Sequence, residues 1–455
     1  MVSVSHWAGR MNPLKLLNRN RATLKLLFVG ALSLAMLIPL TMVRSIIEER
    51  QDMQTAAAQT IASRWGGCQT VSGLVAVTKS PLTVTAERGV KMRSEWHVNV
   101  LSELTMAASL STEQRYLGIY EVPVYTTIVK IEGSIDWAHL NSLQAEGDLL
   151  FWLPLGDVRG VREVSALQLG ELAIPAKPLS LAVNDNAGLQ FTLSAADRSR
   201  AGDQYQLELK LAGSDSLLFL PLADTTRVTL EADWPHPEFI GQFLPTERAI
   251  SADGSRASWQ LLGLNRPYGD QWIISDLAAH QLNQAGFGMR LETPVDAYQR
   301  SERSVKYGFL FITLTFFTLF LFEVMTGQPL HPVPYVLTGA ALAVFYLVLL
   351  ALSEYLHFLE AFVIAAALLV LIVTPYTAVV LGRRRRGLLV GLMMGLTYGL
   401  LYVLVSAQHA ALLLGSLALL AAISGLMYLT RQVDWYAYGT IDESTLREHH
   451  GDLAE

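Results

Sequence analysis

The chain has 455 residues, of which 51% are hydrophobic and 16% charged, and its mean hydropathy is +0.33. Soluble domains carry about 25% charged residues, so disorder is excluded and a wholly soluble chain is disfavoured. A net charge of −6 gives no global attraction to nucleic acid, and one cysteine, Cys68, excludes an intramolecular disulfide or a multi-cysteine metal cluster.

In chain order, residues 1–22 form a basic segment read as a cytoplasmic N-terminus; Arg10, Lys15, Arg19, Arg21 and Lys25 all come ahead of the first acid, Glu48. Residues 23–43 follow as an apolar run long enough for the roughly 30 Å core of a bilayer. Thr41-Met42-Val43 is a poor small-x-small cleavage site, so the run is read as an uncleaved signal anchor.

Residues 44–305 then form the extracytoplasmic (periplasmic) domain, with 22 basic and 31 acidic side chains. A helical pattern runs from Ser45 to about Ser63, after which the period changes to two. Trp96, Val98 and Val100 alternate with polar residues, as do Tyr205, Leu207, Leu209 and Leu211, and Val228, Leu230, Ala232 and Trp234. Such alternation marks half-buried antiparallel strands. Further strands are expected near Val71–Val77, Val122–Ile131, Leu189–Leu193 and Ser258–Leu264. Their number predicts a sandwich or barrel-like domain, as one body or two lobes. The segment from Leu149 to Pro154 fits either a buried strand or an edge patch.

Residues 306–430 form a five-helix transmembrane bundle, with spans at Tyr307–Met325, Pro334–Leu352, Ala361–Leu381, Gly387–Ser406 and Ala410–Thr430. Short connections make neighbours antiparallel. The run Arg383-Arg384-Arg385-Arg386 and Arg431 fall on the side of the basic N-terminus, which predicts a cytoplasmic location for both. Residues 431–455 are then a cytoplasmic tail. The fold class is a membrane protein of six transmembrane α-helices, one signal anchor plus a C-terminal five-helix bundle, with a large β-rich extracytoplasmic domain.

No phosphate-binding glycine loop, zinc-protease helix or nucleophile elbow appears, so no catalytic, cofactor-binding or metal-ligating residue is assigned and no cofactor is expected. Cys68 is read as a small buried hydrophobe, and His449-His450 as a solvated tail pair. Charges in or beside spans cost a few kcal/mol unless paired or wet. That points to Glu323 near the inner end of the second span and Glu354 beside the outer end of the third. Lys306 lies on the same outer side and is expected to pair with Glu354. Helix rise puts Glu323 and Glu354 at opposite membrane faces, so they cannot form one site. Gly387, Gly391, Gly395 and Gly399 leave one face of the fifth span without side chains. Gly339 and Ala343 of the third span are a candidate internal partner for that face, and a homodimer is the alternative.

The segment from Pro294 to Glu323, PVDAYQRSERSVKYGFLFITLTFFTLFLFE, resembles the signature of the CreD family of bacterial inner-membrane proteins. Further matching blocks are SRWGGCQTVSG from Ser63, GIYEVPVYTTIVKIEG from Gly118 and HPEFIGQFLPTER from His236. The stretch from His331 to Glu354 and TRQVDWY from Thr430 complete the resemblance. It implies an envelope-stress protein under a two-component system, linked to envelope integrity, to colicin tolerance and to β-lactam responses, with no enzymatic activity to transfer. Asp434, Trp435 and Tyr436 fall in its last block.

The expected partners are the lipid bilayer and an unidentified periplasmic or envelope partner, with no nucleic acid. The leading expectation is a non-enzymatic envelope-integrity protein whose outer domain is an interaction module. Its rivals are a transporter or lipid-translocating protein, and a membrane enzyme acting on an envelope glycan or lipid-linked substrate through acids such as Glu354 and Glu360.

Overall fold

The computed structural model describes residues 21–86, 89–143, 147–179, 187–273, 284–292, 297–326, 330–407 and 410–431. The chain divides into two compact units, Met53–Pro294 and the sequence on either side of it.

Helix α1 (Arg21–Ala35) and helix α2 (Leu37–Trp65) are separated only by a turn at Met36. Pro39 has no amide hydrogen to give to the carbonyl of Ala35, which places the interruption one turn before it. The helix expected to begin near Ser45 is therefore the continuation of the membrane-crossing segment. It belongs to the first unit as far as Asp52.

Within the second unit the strands are β1 (Gln69–Ser72), β2 (Val75–Ala86), β3 (Gly89–Leu117) and β4 (Tyr120–Ser134), followed by helix α3 (Trp137–Leu143). Next come β5 (Leu149–Leu155), β6 (Val161–Val164), β7 (Leu167–Leu169), β8 (Leu172–Ile174), β9 (Lys177–Pro178) and β10 (Ala187–Leu193). Then follow β11 (Gln204–Ser214), β12 (Ser216–Leu220), β13 (Ala223–Ala232), β14 (Pro237–Gly241) and β15 (Glu247–Ser251). The last are β16 (Gly254–Leu262), β17 (Gln271–Ile273) and β18 (Phe287–Leu291).

One sheet runs β14-β18-β12-β1, and β1 and β2 lie in succession along β5, whose other edge carries β10 and β9. The other runs β15-β16-β13-β3-β4-β11, with β6 and β7 beyond β11. The long β3 joins them, because its first half pairs with β2 and its second half with β4 and β13.

Between the sheets, Phe151, Phe191, Phe219 and Phe287 pack in one cluster with Met106, Ile131, Leu209 and Trp259. Fully burying such a side chain stabilises by about 1.5–3 kcal/mol. The alternation in β11 and β13 puts Leu207, Leu209, Val228 and Leu230 inside, as the period of two requires. β5 is a buried strand with neighbours on both edges.

Past Trp65 the chain turns at Gly66, where φ is +139° and an added Cβ would stand 2.3 Å from the carbonyl oxygen of Ala212. Only glycine fits that approach. Trp65 is gripped between the guanidinium groups of Arg115 and Arg162, at 4.4 and 5.0 Å from its ring, and its indole N–H donates to the carbonyl of Tyr125. The end of α2 is thereby fastened into the β-rich unit.

In the first unit, α4 (Ala297–Thr326), α5 (Pro332–Ser353), α6 (Phe358–Val380), α7 (Arg384–Ser406) and α8 (Ala411–Thr430) follow in sequence. Among the described residues, five stretches are long and apolar enough to cross a membrane: Leu24–Trp65, Ala297–Met325, Pro332–Ser353, Phe358–Val380 and Arg384–Ser406. In α8, the apolar stretch Leu413–Gly425 is shorter among the described residues. α4 packs against α1, α5 and α7, and α6 against α5 and α7. The core is aromatic, with Phe345 lying 4.6 Å from the ring of Tyr398 and 5.6 Å from that of Phe362.

Candidate functional site

The buried stripe of α4 includes Ile312, Phe316, Leu319, Phe320 and Glu323, at the three- and four-residue intervals that keep side chains on one helix face. Periodicity alone therefore drives Glu323 into the bundle, where it is 1% exposed. Its position is costly. The last turn of a helix carries the negative end of the macrodipole, which repels a carboxylate.

Two neighbours offset that cost. Lys25 of α1 forms an ion pair with Oε1 of Glu323, and the hydroxyl of Tyr335 donates to Oε2 over 2.9 Å. The Lys25 ammonium also donates to the carbonyl of Leu330, just before α5. Tyr335 is held in place by the edges of Phe28 and Phe316, with ring centroids 6.4 and 6.3 Å away. Pro332 pre-sets the first turn of α5, and His331 caps it by accepting from the amide of Val333. Three segments thus meet on one carboxylate.

At the other end of α5, Glu354 caps the helix, with the Nε of Arg50 at 3.5 Å and the hydroxyl of Tyr298 donating over 3.3 Å. Tyr335 and Glu354 are 19 residues apart along α5, about 28 Å at 1.5 Å per residue, so Glu323 and Glu354 occupy separate places. The expected Lys306–Glu354 pair does not form. Lys306 bonds Glu302 at 2.9 Å, one turn back on its own helix, and Arg44 approaches the same carboxylate at 3.8 Å. A local partner four residues away needs less ordering than one on another helix.

Along α7, an added Cβ on Gly387 would stand 2.4 Å from the Cβ of Ala378, and one on Gly391 would stand 2.2 Å from the hydroxyl of Thr374. These two glycines admit α6. Gly395 and Gly399 meet nothing within 4 Å. Gly339 does not serve as their partner: it faces Phe316 and Met36.

In the β-rich unit, Cys68 is exposed, which corrects the expectation of a buried hydrophobe. Its Sγ lies 2.8 Å from the hydroxyl of Ser216, which donates in turn to Asp215. The crowding around it pushes the thiol pKa up, whereas its open surface governs access by reagents. Among the described residues no group of three His, Cys, Asp or Glu could hold a metal ion. Asp434, Trp435, Tyr436 and His449-His450 lie outside the described residues.

Lys25 was legible in the sequence only as one more positive charge at the start of an apolar run, and Arg50 carried no signal. Tyr335 and Tyr298 carried no signal beyond their helical positions.

These features define a multi-pass membrane protein with a strand-rich unit inserted after its first membrane segment. A family model described as inner membrane protein CreD matches residues 21–436. Inner membrane protein CreD of Escherichia coli (strain K12) is 31% identical over 413 residues, covering 89% of this chain and 92% of that protein. The chain belongs to the CreD family.

Proposed function

We propose that the protein supports cell-envelope integrity without catalysing a reaction, using the β-rich unit as a periplasmic interaction module and six spans as its anchor, with both termini cytoplasmic. The observation that carries this reading is the edge of the second sheet. Strand β15 is exposed throughout and pairs only with β16 among the described residues. Ile250 on this strand and Leu244 just before it are 52 and 77% exposed. An unpaired edge rimmed by apolar side chains favours an extended partner segment added as a further strand. The orientation rests on the arginine turn before α7 and the basic N-terminus.

A second reading, a transporter or lipid-translocating protein, is favoured by Glu323 and Lys25 inside the bundle. The buried hydroxyls of Ser301 and Thr338, without hydrogen-bond partners among the described residues, also suit internal water.

Complementation in a strain lacking the gene separates the two, scored by growth in detergent and by dye uptake at equal protein levels. The edge variant Leu244→Asp with Ile250→Asp is expected to fail, and Lys25→Met with Glu323→Gln to rescue. The reverse pattern would transfer the function to the bundle.

A further inference from the structure

The outer faces of α6 and α7 enclose a groove of about 1330 Å³. Ordinary small-molecule sites measure roughly 300–1,000 Å³. Its wall on α7 includes Leu392, Gly395, Leu396 and Gly399, and it closes where Gly387 and Gly391 press against α6. At one end stand Arg383 and Arg384, both exposed and without an acceptor among the described residues. They form the start of α7, where the free amides and the positive end of the macrodipole add to their charge. Arg386 is engaged differently, donating to the carbonyl of Leu381 and pinning the turn.

We propose that this groove binds one anionic phospholipid, its phosphate at Arg383 and Arg384 and an acyl chain along the bare face of Gly395 and Gly399. The charge pattern selects the occupant. A cationic mouth at the end of a membrane-spanning helix leads into an apolar trough toward the bilayer centre, which is the polarity of such a lipid. The length agrees too. From Arg384 to Gly399 is 15 residues, about 22 Å, against about 20–22 Å for one leaflet with its headgroup region. A second copy fits worse. Two copies inserted with the same topology and packed on this face would set their arginine turns side by side, with like charges opposed.

The test uses the full-length protein, delipidated in detergent and read by native mass spectrometry. The probes are phosphatidylglycerol and phosphatidylcholine with identical acyl chains. The wild type is expected to retain one phosphatidylglycerol at least fivefold more than phosphatidylcholine. Arg383→Gln with Arg384→Gln should erase that preference but keep some lipid of either kind. Gly395→Leu with Gly399→Leu should lose both lipids while keeping its helix content. Equal retention of the two lipids by the wild type overturns the proposal. So does undiminished phosphatidylglycerol on the leucine variant, or a dimer that the leucine variant dissociates. Should the leucine variant fail to fold, a phosphatidylglycerol with a photoreactive acyl chain decides on the wild type. Cross-links on α6 and α7 along the groove support the site, and cross-links confined to other helices overturn it.

Discussion

The two units treat carboxylates in opposite ways. In the membrane unit, Glu323 is 1% exposed and is held by a cation and a hydroxyl from two other helices. In the β-rich unit, carboxylates stay at the rim and serve the backbone: Asp157 accepts from the amides of Gly67 and Arg159, and Asp233 from the amide of Thr112. Most of the polar groups that unit buries are uncharged, such as Gln69, Asn99 and Thr127; the exception is the Arg266 side chain, 2% exposed and paired with the exposed carboxylates of Asp224 and Asp270. Water competes for a rim carboxylate and weakens any one of its bonds, whereas in the bundle the same group depends wholly on its partners. Damage to one acid should therefore be severe in the first unit and mild in the second.

The largest effect is expected from splitting the Lys25–Glu323 pair, at about 3–5 kcal/mol, because one buried charge is left alone. The loss should be unequal. Lys25 is 20% exposed and can bend its stem toward water, but Glu323 cannot, so Lys25→Met should cost more than Glu323→Gln. The double variant should regain much of the loss. Equilibrium unfolding of the full chain in detergent measures all three; equal single losses with a fully additive double would remove the pair from its special status.

Next comes the helix contact itself. Gly387→Leu drives side-chain atoms into Ala378 of α6 and should destabilise by about 1–3 kcal/mol. Gly399→Leu makes the same chemical change but meets nothing within 4 Å, and should leave thermal stability unchanged. The same denaturation series compares them.

In the β-rich unit, Asp157→Asn should cost only about 1 kcal/mol at neutral pH, the usual worth of a capping side chain. The hydrogen bond from the Arg159 guanidinium, aided by the two amides, holds the Asp157 carboxyl below its ordinary value. Its contribution is then complete above about pH 3.9, the unfolded value, and is lost as pH falls through the lower folded value. The gap between wild type and Asp157→Asn should accordingly narrow below pH 4. A gap that widens in acid would reverse the assignment.

Much of this was legible in the chain, for physical reasons that also explain the failures. A membrane helix must be apolar for its whole length and a half-buried strand must alternate, so Pro332–Ser353 and β11 announced themselves. Glu323 stood out as a lone charge in an apolar run, but its partner did not: Lys25 lies 298 residues earlier and reads as one of several basic flanking residues. Spacing marked all four glycines of α7 alike, although only Gly387 and Gly391 face a neighbour. A pattern reports that a face is bare, not what covers it. Cys68 was misjudged because hydrophobicity is an average property of cysteine, and a turn after Gly66-Gly67 brings this one to the surface.

The smallest effect should come from Lys306, and it sharpens the contrast from inside the membrane unit. Its side chain is 54% exposed and bonded to Glu302 within one helix turn, while Arg44 stands by to hold the same carboxylate. Exposed pairs contribute about 0.2–1 kcal/mol, and a standby cation reduces even that. Lys306→Gln should thus shift unfolding by less than about 0.5 kcal/mol, with no salt dependence beyond that of the wild type. A loss comparable to that of Glu323→Gln would mean that position in the membrane unit, rather than burial, sets the cost of an unpaired charge, and the distinction between the two ends of the bundle would fall with it.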